Sequence, residues 1–236
     1  SDDATLSTVD GNITNNIIVQ AGTTGTLMIT HNAGAGAAQN PNFSGAITLD
    51  NALTVAERRS ADRVVTVSGQ ITGDKTITVA SNNNSSKPGV SITNASNASS
   101  FTGNIAVTGG LLGFNSGSLG SVGSISFDDS SPFTANAPGL VWLTGNTEDV
   151  SARLSPSASP TTVVFNTGTN DVTFATANGL SGTGNYSKTG TGTLNLAASN
   201  NHSGNTTVSA GTLLANNVSG SATGSGTLTV NAAGTL

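Results

Sequence analysis

The chain carries twelve Asp and Glu, seven Lys and Arg, two His and no Cys over 236 residues. Hydrolysis of a glycosidic bond needs two carboxyls held about 5–9 Å apart. Beyond the N-terminus only Asp128-Asp129 and Glu148-Asp149 are adjacent acids. Neighbours on a strand point to opposite faces, so each pair offers one carboxylate to a given groove. Asp129 beside Asp149 or Asp171 is the one catalytic pairing that stacked strands would permit, and solvated loop acids are the better reading. Calcium at the same acids lacks the Gly-Gly-x-Gly-x-Asp repeat that would hold it. His31 and His202 have no acid within several residues, so a surface or corner position is expected rather than a metal site. No Gly-x-Ser-x-Gly elbow singles out a nucleophile among the serines. Glu57-Arg58-Arg59 with Asp62-Arg63 is the densest charge cluster. It reads as a solvated turn or short helical excursion, with Arg58 and Arg59 as candidate contacts. We expect no catalytic residues, no cofactor and no metal, and therefore no enzyme.

Composition narrows the remaining classes. Thr, Ser, Gly, Ala and Asn make up 151 residues, and charged residues only 8 %, against about 25 % in ordinary domains. Seven scattered cations cannot line a phosphate backbone, which excludes nucleic-acid binding. No run of 18 apolar residues offers a membrane span. Asn-x-Ser/Thr sequons number ten, close to what composition alone gives. Val, Ile and Thr recur throughout, so the chain is no Ser/Gly linker, and it reads as folded and all-β.

The elements are short alternating pieces bounded by Gly, Asn, Ser or Asp, such as Ala46-Ile47-Thr48-Leu49 and Thr76-Ile77-Thr78-Val79. Roughly 20 pieces of about four residues imply many small strands with one buried face. Three segments repeat a pattern: Asn42-Phe43-Ser44-Gly45 with Leu53 following, Ser100-Phe101-Thr102-Gly103 with Gly110-Leu111-Leu112, and Asn201-His202-Ser203-Gly204 with Gly211-Thr212-Leu213. Each is preceded by an Asn-bearing turn and a Leu- or Ile-bearing strand. Strand, Asn-rich corner, strand, Gly-rich corner, strand is solved most simply by a parallel β-solenoid of about three short strands per coil. That predicts about seven coils and a stack of roughly 30–35 Å.

The whole chain, 1–236, reads as one solenoid with degenerate repeats at about 13–55, 69–112 and 180–214. A less regular stretch lies at about 128–171. Phe43, Phe101, Leu111, Leu194, Leu196, Val208 and Leu213 are the expected core. Gly45, Gly103 and Gly204 are the expected shared corners, with glycine supplying positive φ at such turns.

Leu180-Ser181-Gly182-Thr183-Gly184 through Lys188, Gly190, Gly192-Thr193-Leu194-Asn195-Leu196, and on past His202-Ser203-Gly204 to Leu213, resembles the autotransporter-associated (passenger-associated) β-strand repeat of bacterial surface proteins. The 69–112 region matches more loosely. His202 stands where that family has an aromatic residue. The resemblance implies an exported, right-handed parallel β-helix at the cell surface, with adhesive or matrix roles and no catalytic residues.

The last coil breaks off at Leu236 without an obvious cap, so a further coil or a second copy is expected to cover it. The leading reading is an extracellular structural solenoid, a filament subunit or rigid scaffold that stacks head to tail on itself. The alternative is an adhesin that contacts surface glycans through Asn, Thr, Trp142 or Tyr186. A polysaccharide lyase or hydrolase comes third.

Overall fold

The computed structural model describes residues 3–8, 11–22, 24–31, 40–58, 63–83, 87–131 and 136–236. Among them the chain forms 23 short strands, one turn of α-helix at Asn97–Ser100 and a 3-10 turn at Ser151–Arg153. Every strand pairing is parallel, as a stack of coils requires. The molecule is a β-solenoid of about nine turns with about three strands per coil. Coils average about 24 residues, and the stack runs to roughly 43 Å at about 4.8 Å per turn. It is thus longer than the seven coils read from sequence. Several coils carry only two strands, so dividing the strand count by three undercounted them.

One face runs the full length. It is a ten-stranded sheet from Asn12–Ile13 to Leu228–Val230, through Asn42–Phe43, Val65–Val67, Val90–Ile92, Leu111–Phe114, Gly139–Trp142, Thr162–Asn166, Asn185–Thr189 and Thr206–Val208. A six-stranded first face covers the N-terminal coils, from Ala4–Thr8 to Ile125–Phe127. Three strands, Ile17–Val19, Ile47–Leu49 and Ile71–Gly73, close those coils. Four strands, Val172–Phe174, Thr193–Leu196, Gly211–Ala215 and Gly234–Thr235, accompany the long face at the C-terminal end.

Alternation decides which side chains enter the tube. In Val65-Thr66-Val67 the valines are buried and the threonine half-exposed, and Ile47-Thr48-Leu49 does the same. Register then stacks like on like: Leu53, Ile77, Ile105 and Ile125 form one inward row, and Val55, Val79, Val107 and Phe127 the next. The expected core residues Phe43, Phe101, Leu111, Leu194, Leu196, Val208 and Leu213 are all buried.

The three glycines of the repeated pattern do something other than turn the chain. Gly45, Gly103 and Gly204 have no left-handed φ; a Cβ on each would lie 1.9, 2.1 and 2.0 Å from the carbonyl oxygens of Asn15, Lys75 and Gly184 in the adjacent coil. They are needed because backbone meets backbone there. The left-handed turns belong to other glycines, Gly110 (φ +68°) and Gly211 (φ +67°) among them.

The three copies also stand at different points around the tube. Gly45 precedes Ile47–Leu49, Gly103 precedes the first-face strand Ile105–Gly109, and Gly204 precedes the long-face strand Thr206–Val208. The pattern marks a kind of corner, not a position in the coil.

Asparagine closes the corners by reaching between coils. After successive long-face strands, the Nδ2 groups of Asn94, Asn115, Asn146 and Asn170 donate to Ser68 O, Thr93 O, Phe114 O and Trp142 O one coil away, at 2.9–3.2 Å. Each satisfies a carbonyl that the bend removes from the sheet ladder.

Candidate functional site

Of the acids singled out in the sequence, Asp128, Glu148, Asp149 and Asp171 accept from backbone amides, and Asp129 is exposed. Glu148 Oε2 accepts from Gly117 N at 2.7 Å, and Asp149 accepts from Ser151 N and Ala175 N at 2.8 and 2.9 Å. Asp171 accepts from Thr193 N at 3.0 Å, and its hydrogen bonds with Thr193 hold its carboxyl below the usual range. Asp128 accepts from Ser130 N, also receives the Ser130 hydroxyl, and is exposed. Among the described residues no three His, Asp or Glu converge as metal ligands would. No helix among them is long and apolar enough to cross a membrane.

Both histidines are buried: of the surface or corner positions expected for them, His202 takes a corner and His31 the end of a strand. His31 ends the first-face strand Leu27–His31, and the register Thr30↔Ala56 sets it one coil from Glu57, itself fully buried. Sequence distance had concealed that acid. His202 is 0 % exposed; its Nε2 lies 2.9 Å from Thr206 Oγ1, and its ring packs edge-on against Tyr186 with centroids 4.7 Å apart. Desolvation pushes its pKa below the ordinary 6.5. The imidazole fills an aromatic site at a corner.

Trp142 and Tyr186 are 1 % and 5 % exposed, so neither reaches a ligand at the surface. Trp142 continues the inward row Val67, Ile92, Phe114. It packs against Phe114, Phe165 and Phe174 at centroid distances of 5.1–6.1 Å, and its Nε1 donates to Glu148 O. Tyr186 stacks on Phe165 and donates its hydroxyl to Ser181 O. Trp142 and Phe165 of the 128–171 stretch therefore build an internal column with Phe114, Phe174 and Tyr186, because alternation puts them on the inward side.

Two cations that spacing alone did not single out are structural. Lys188, 2 % exposed, stands in the inward row between Phe165 and Val208. Its Nζ donates to Thr189 O, Gly190 O and Ala210 O at 2.7–3.2 Å, and burial pushes its pKa down to about 8. Arg153 donates to Leu119 O, Gly120 O and Gly123 O of the preceding coil. Desolvation lowers its pKa, with Glu148 opposing. The only sequence signal for the lysine was its place in the 180–214 repeat.

Of the charge cluster, Arg58 is exposed and Arg63 half-exposed, while Arg59 and Asp62 lie outside the described residues. Leu53–Glu57, which leads into the cluster, is a strand and not the start of a helix. The structure keeps this cluster apart from the acids at 148–149 and 171, which lie at later coils. Two clefts remain. One of about 390 Å³ opens at the first coil among Leu6, Ile17, Ile18 and Leu27. The other, about 420 Å³, crosses the outer side of the first face over Thr5, Met28, Thr54, Thr78 and Thr108.

Neither the curated proteins nor the solved structures contain a match to the chain. A family model does match over the coil that holds Lys188 and His202. Residues 187–215 are a passenger-associated-transport-repeat, the autotransporter passenger repeat that the 180–214 unit resembles.

Proposed function

We infer that the chain is part of an autotransporter passenger domain, a reading that the passenger-associated repeat and the β-solenoid fold support. We propose that the chain serves there as a rigid structural rod, displayed outside the cell, whose coils continue end to end onto further coils of the same kind. The observation that carries this reading is the long face: ten parallel strands in one unbroken hydrogen-bonded sheet from Asn12 to Val230. Each coil is stabilised by its neighbours, so stiffness and length grow together. The end strands Asn12–Ile13 and Leu228–Val230 each pair on one side, and Val230 is exposed. A further coil laid on either strand would extend the same ladder.

No catalytic role belongs to this reading; of the adjacent acids, Asp128, Glu148 and Asp149 accept from backbone amides. Purified protein imaged by negative stain is expected to give rods about 43 Å long and multiples of that length as concentration rises. Compact, isotropic particles would overturn the rod. Single short rods at every concentration would overturn self-stacking, and turnover of polygalacturonate would overturn the non-enzymatic role.

A further inference from the structure

We propose that residues 143–157 form a seam coupling two cooperative blocks of the solenoid, the coils up to Phe127 and those from Thr162 on, with Arg153 as its main tie. The faces other than the long one change over at this coil. The first-face sheet ends at Ile125–Phe127, and the four-stranded sheet begins at Val172–Phe174. Among the described residues, the pairings off the long face between those two strands are the single bridges Ile125↔Leu154 and Ser157↔Gly182. On the long face, Gly139–Trp142 pairs with Thr162–Asn166 over three residue pairs. Coils on either side share more. Ile77–Ser81 pairs with Leu53–Glu57 while Val90–Ile92 pairs with Val65–Val67. Thr193–Leu196 pairs with Gly211–Ala215 while Asn185–Thr189 pairs with Thr206–Val208. A solenoid is as cooperative as its weakest interface between neighbouring coils, and it divides into separately opening units there.

Side chains take the place of the ladder, and they reach both ways. Toward the preceding coil, Asn146 Nδ2 donates to Phe114 O at 2.9 Å and Glu148 Oε2 accepts from Gly117 N at 2.7 Å. Toward the following coil, Asp149 Oδ2 accepts from Ala175 N at 2.9 Å and Ser151 Oγ from Thr176 N at 3.1 Å. Asn170 closes the same side, donating to Trp142 O and accepting from Gly145 N. The core crosses here as rings: Trp142 touches Phe114 before the seam and Phe165 and Phe174 after it, and Phe127 meets Phe165 at 6.2 Å.

Arg153 gathers more of these bonds than any other side chain of the seam. Its Nε, Nη1 and Nη2 donate to Gly123 O, Gly120 O and Leu119 O at 2.7–2.8 Å. All three carbonyls belong to buried residues of the turn before Ile125–Phe127. A guanidinium fork spans three acceptors at once, which a shorter amide does not. Removing it takes three bonds from one interface and leaves buried carbonyls to be satisfied anew.

The test is urea unfolding of the whole chain, followed by far-ultraviolet circular dichroism and by fluorescence. The dichroism reads every strand, and the fluorescence reads Trp142, the single tryptophan, at the seam. In the wild type the two signals should change together in one transition. In Arg153→Gln the dichroism should split into two steps. Hydrogen exchange at a urea concentration between the steps should then find one block protected and the other open. Asp149→Ala alters an exposed side chain and removes the bond to Ala175, so it serves if Arg153→Gln does not fold; the same splitting is expected, with midpoints closer together. Val79→Ala, in a strand paired on both sides, should lower the common midpoint without splitting it. Two transitions in the wild type would overturn the seam, as would a single transition in Arg153→Gln, or in Asp149→Ala where the arginine variant does not fold. Equal splitting in Val79→Ala would overturn it as well.

Discussion

The rings of Tyr186 and His202 meet edge to face, with centroids 4.7 Å apart and planes inclined by 72°. His202 is held there by Thr206, whose hydroxyl also donates to Thr223 O at 3.3 Å. An imidazole thus does an aromatic residue's packing at the corner before Gly204, and carries a titratable group into the core.

That arrangement makes the fold sensitive to acid. The folded pKa of His202 is depressed, so as pH falls through 6.5 the unfolded chain takes up a proton before the folded one. Stability contributed by neutral His202 is fully present above 6.5 and is lost below it. Urea midpoints should fall between pH 6.5 and 5 in the wild type. His202→Phe, which keeps the edge contact and leaves Thr206 its bond to Thr223, should flatten that part of the profile.

Lys188 predicts a dependence at the other end of the scale. Its pKa is about 8 folded and 10.5 unfolded, so between these values the unfolded chain holds a proton that the folded chain has released. Stability should rise with pH across this window, by up to about 3 kcal/mol. Tyr186, whose pKa is raised by desolvation, works against the rise above pH 10. Denaturant titrations at pH 7.5 to 10 should show the rise, and Lys188→Met should abolish it.

Glycines of the two kinds should respond differently to alanine. At Gly204 a Cβ meets the Gly184 carbonyl oxygen at 2.0 Å, with rigid backbone on both sides. Gly204→Ala should cost at least about 3 kcal/mol, the upper end for overpacking. At Gly145, φ is +84° and nothing lies within 4 Å, so Gly145→Ala should cost only the left-handed conformation, roughly 1–2 kcal/mol. Thermal melts of the two variants compare them directly.

Trp142 is the largest fully buried side chain and touches Phe114, Phe165 and Phe174. Trp142→Ala should cost about 3–5 kcal/mol through the cavity alone. It also leaves Glu148 O without the indole donor.

Much of the architecture was legible in residue types. Alternation in Val65-Thr66-Val67 or Ile47-Thr48-Leu49 reports a strand with one wet side wherever it stands. The recurrence of Phe or His, then Ser or Thr, then Gly reports a tight corner. The phase of that corner was not legible: Gly45, Gly103 and Gly204 lie on three different sides of the tube because each faces the same local demand, a carbonyl of the next coil at van der Waals distance.

The amino-acid sequence by itself determined a many-cornered parallel tube: its small residues let coils close, its β-branched residues suit the faces, and its Gly and Asn turn and satisfy the bends. Tertiary structure alone decided what enters that tube. Side-chain alternation restarts at every corner, and only register between coils, across some twenty residues of sequence, places Lys188 between Phe165 and Val208. The same register turns Trp142 and Tyr186 inward and brings His31 beside Glu57.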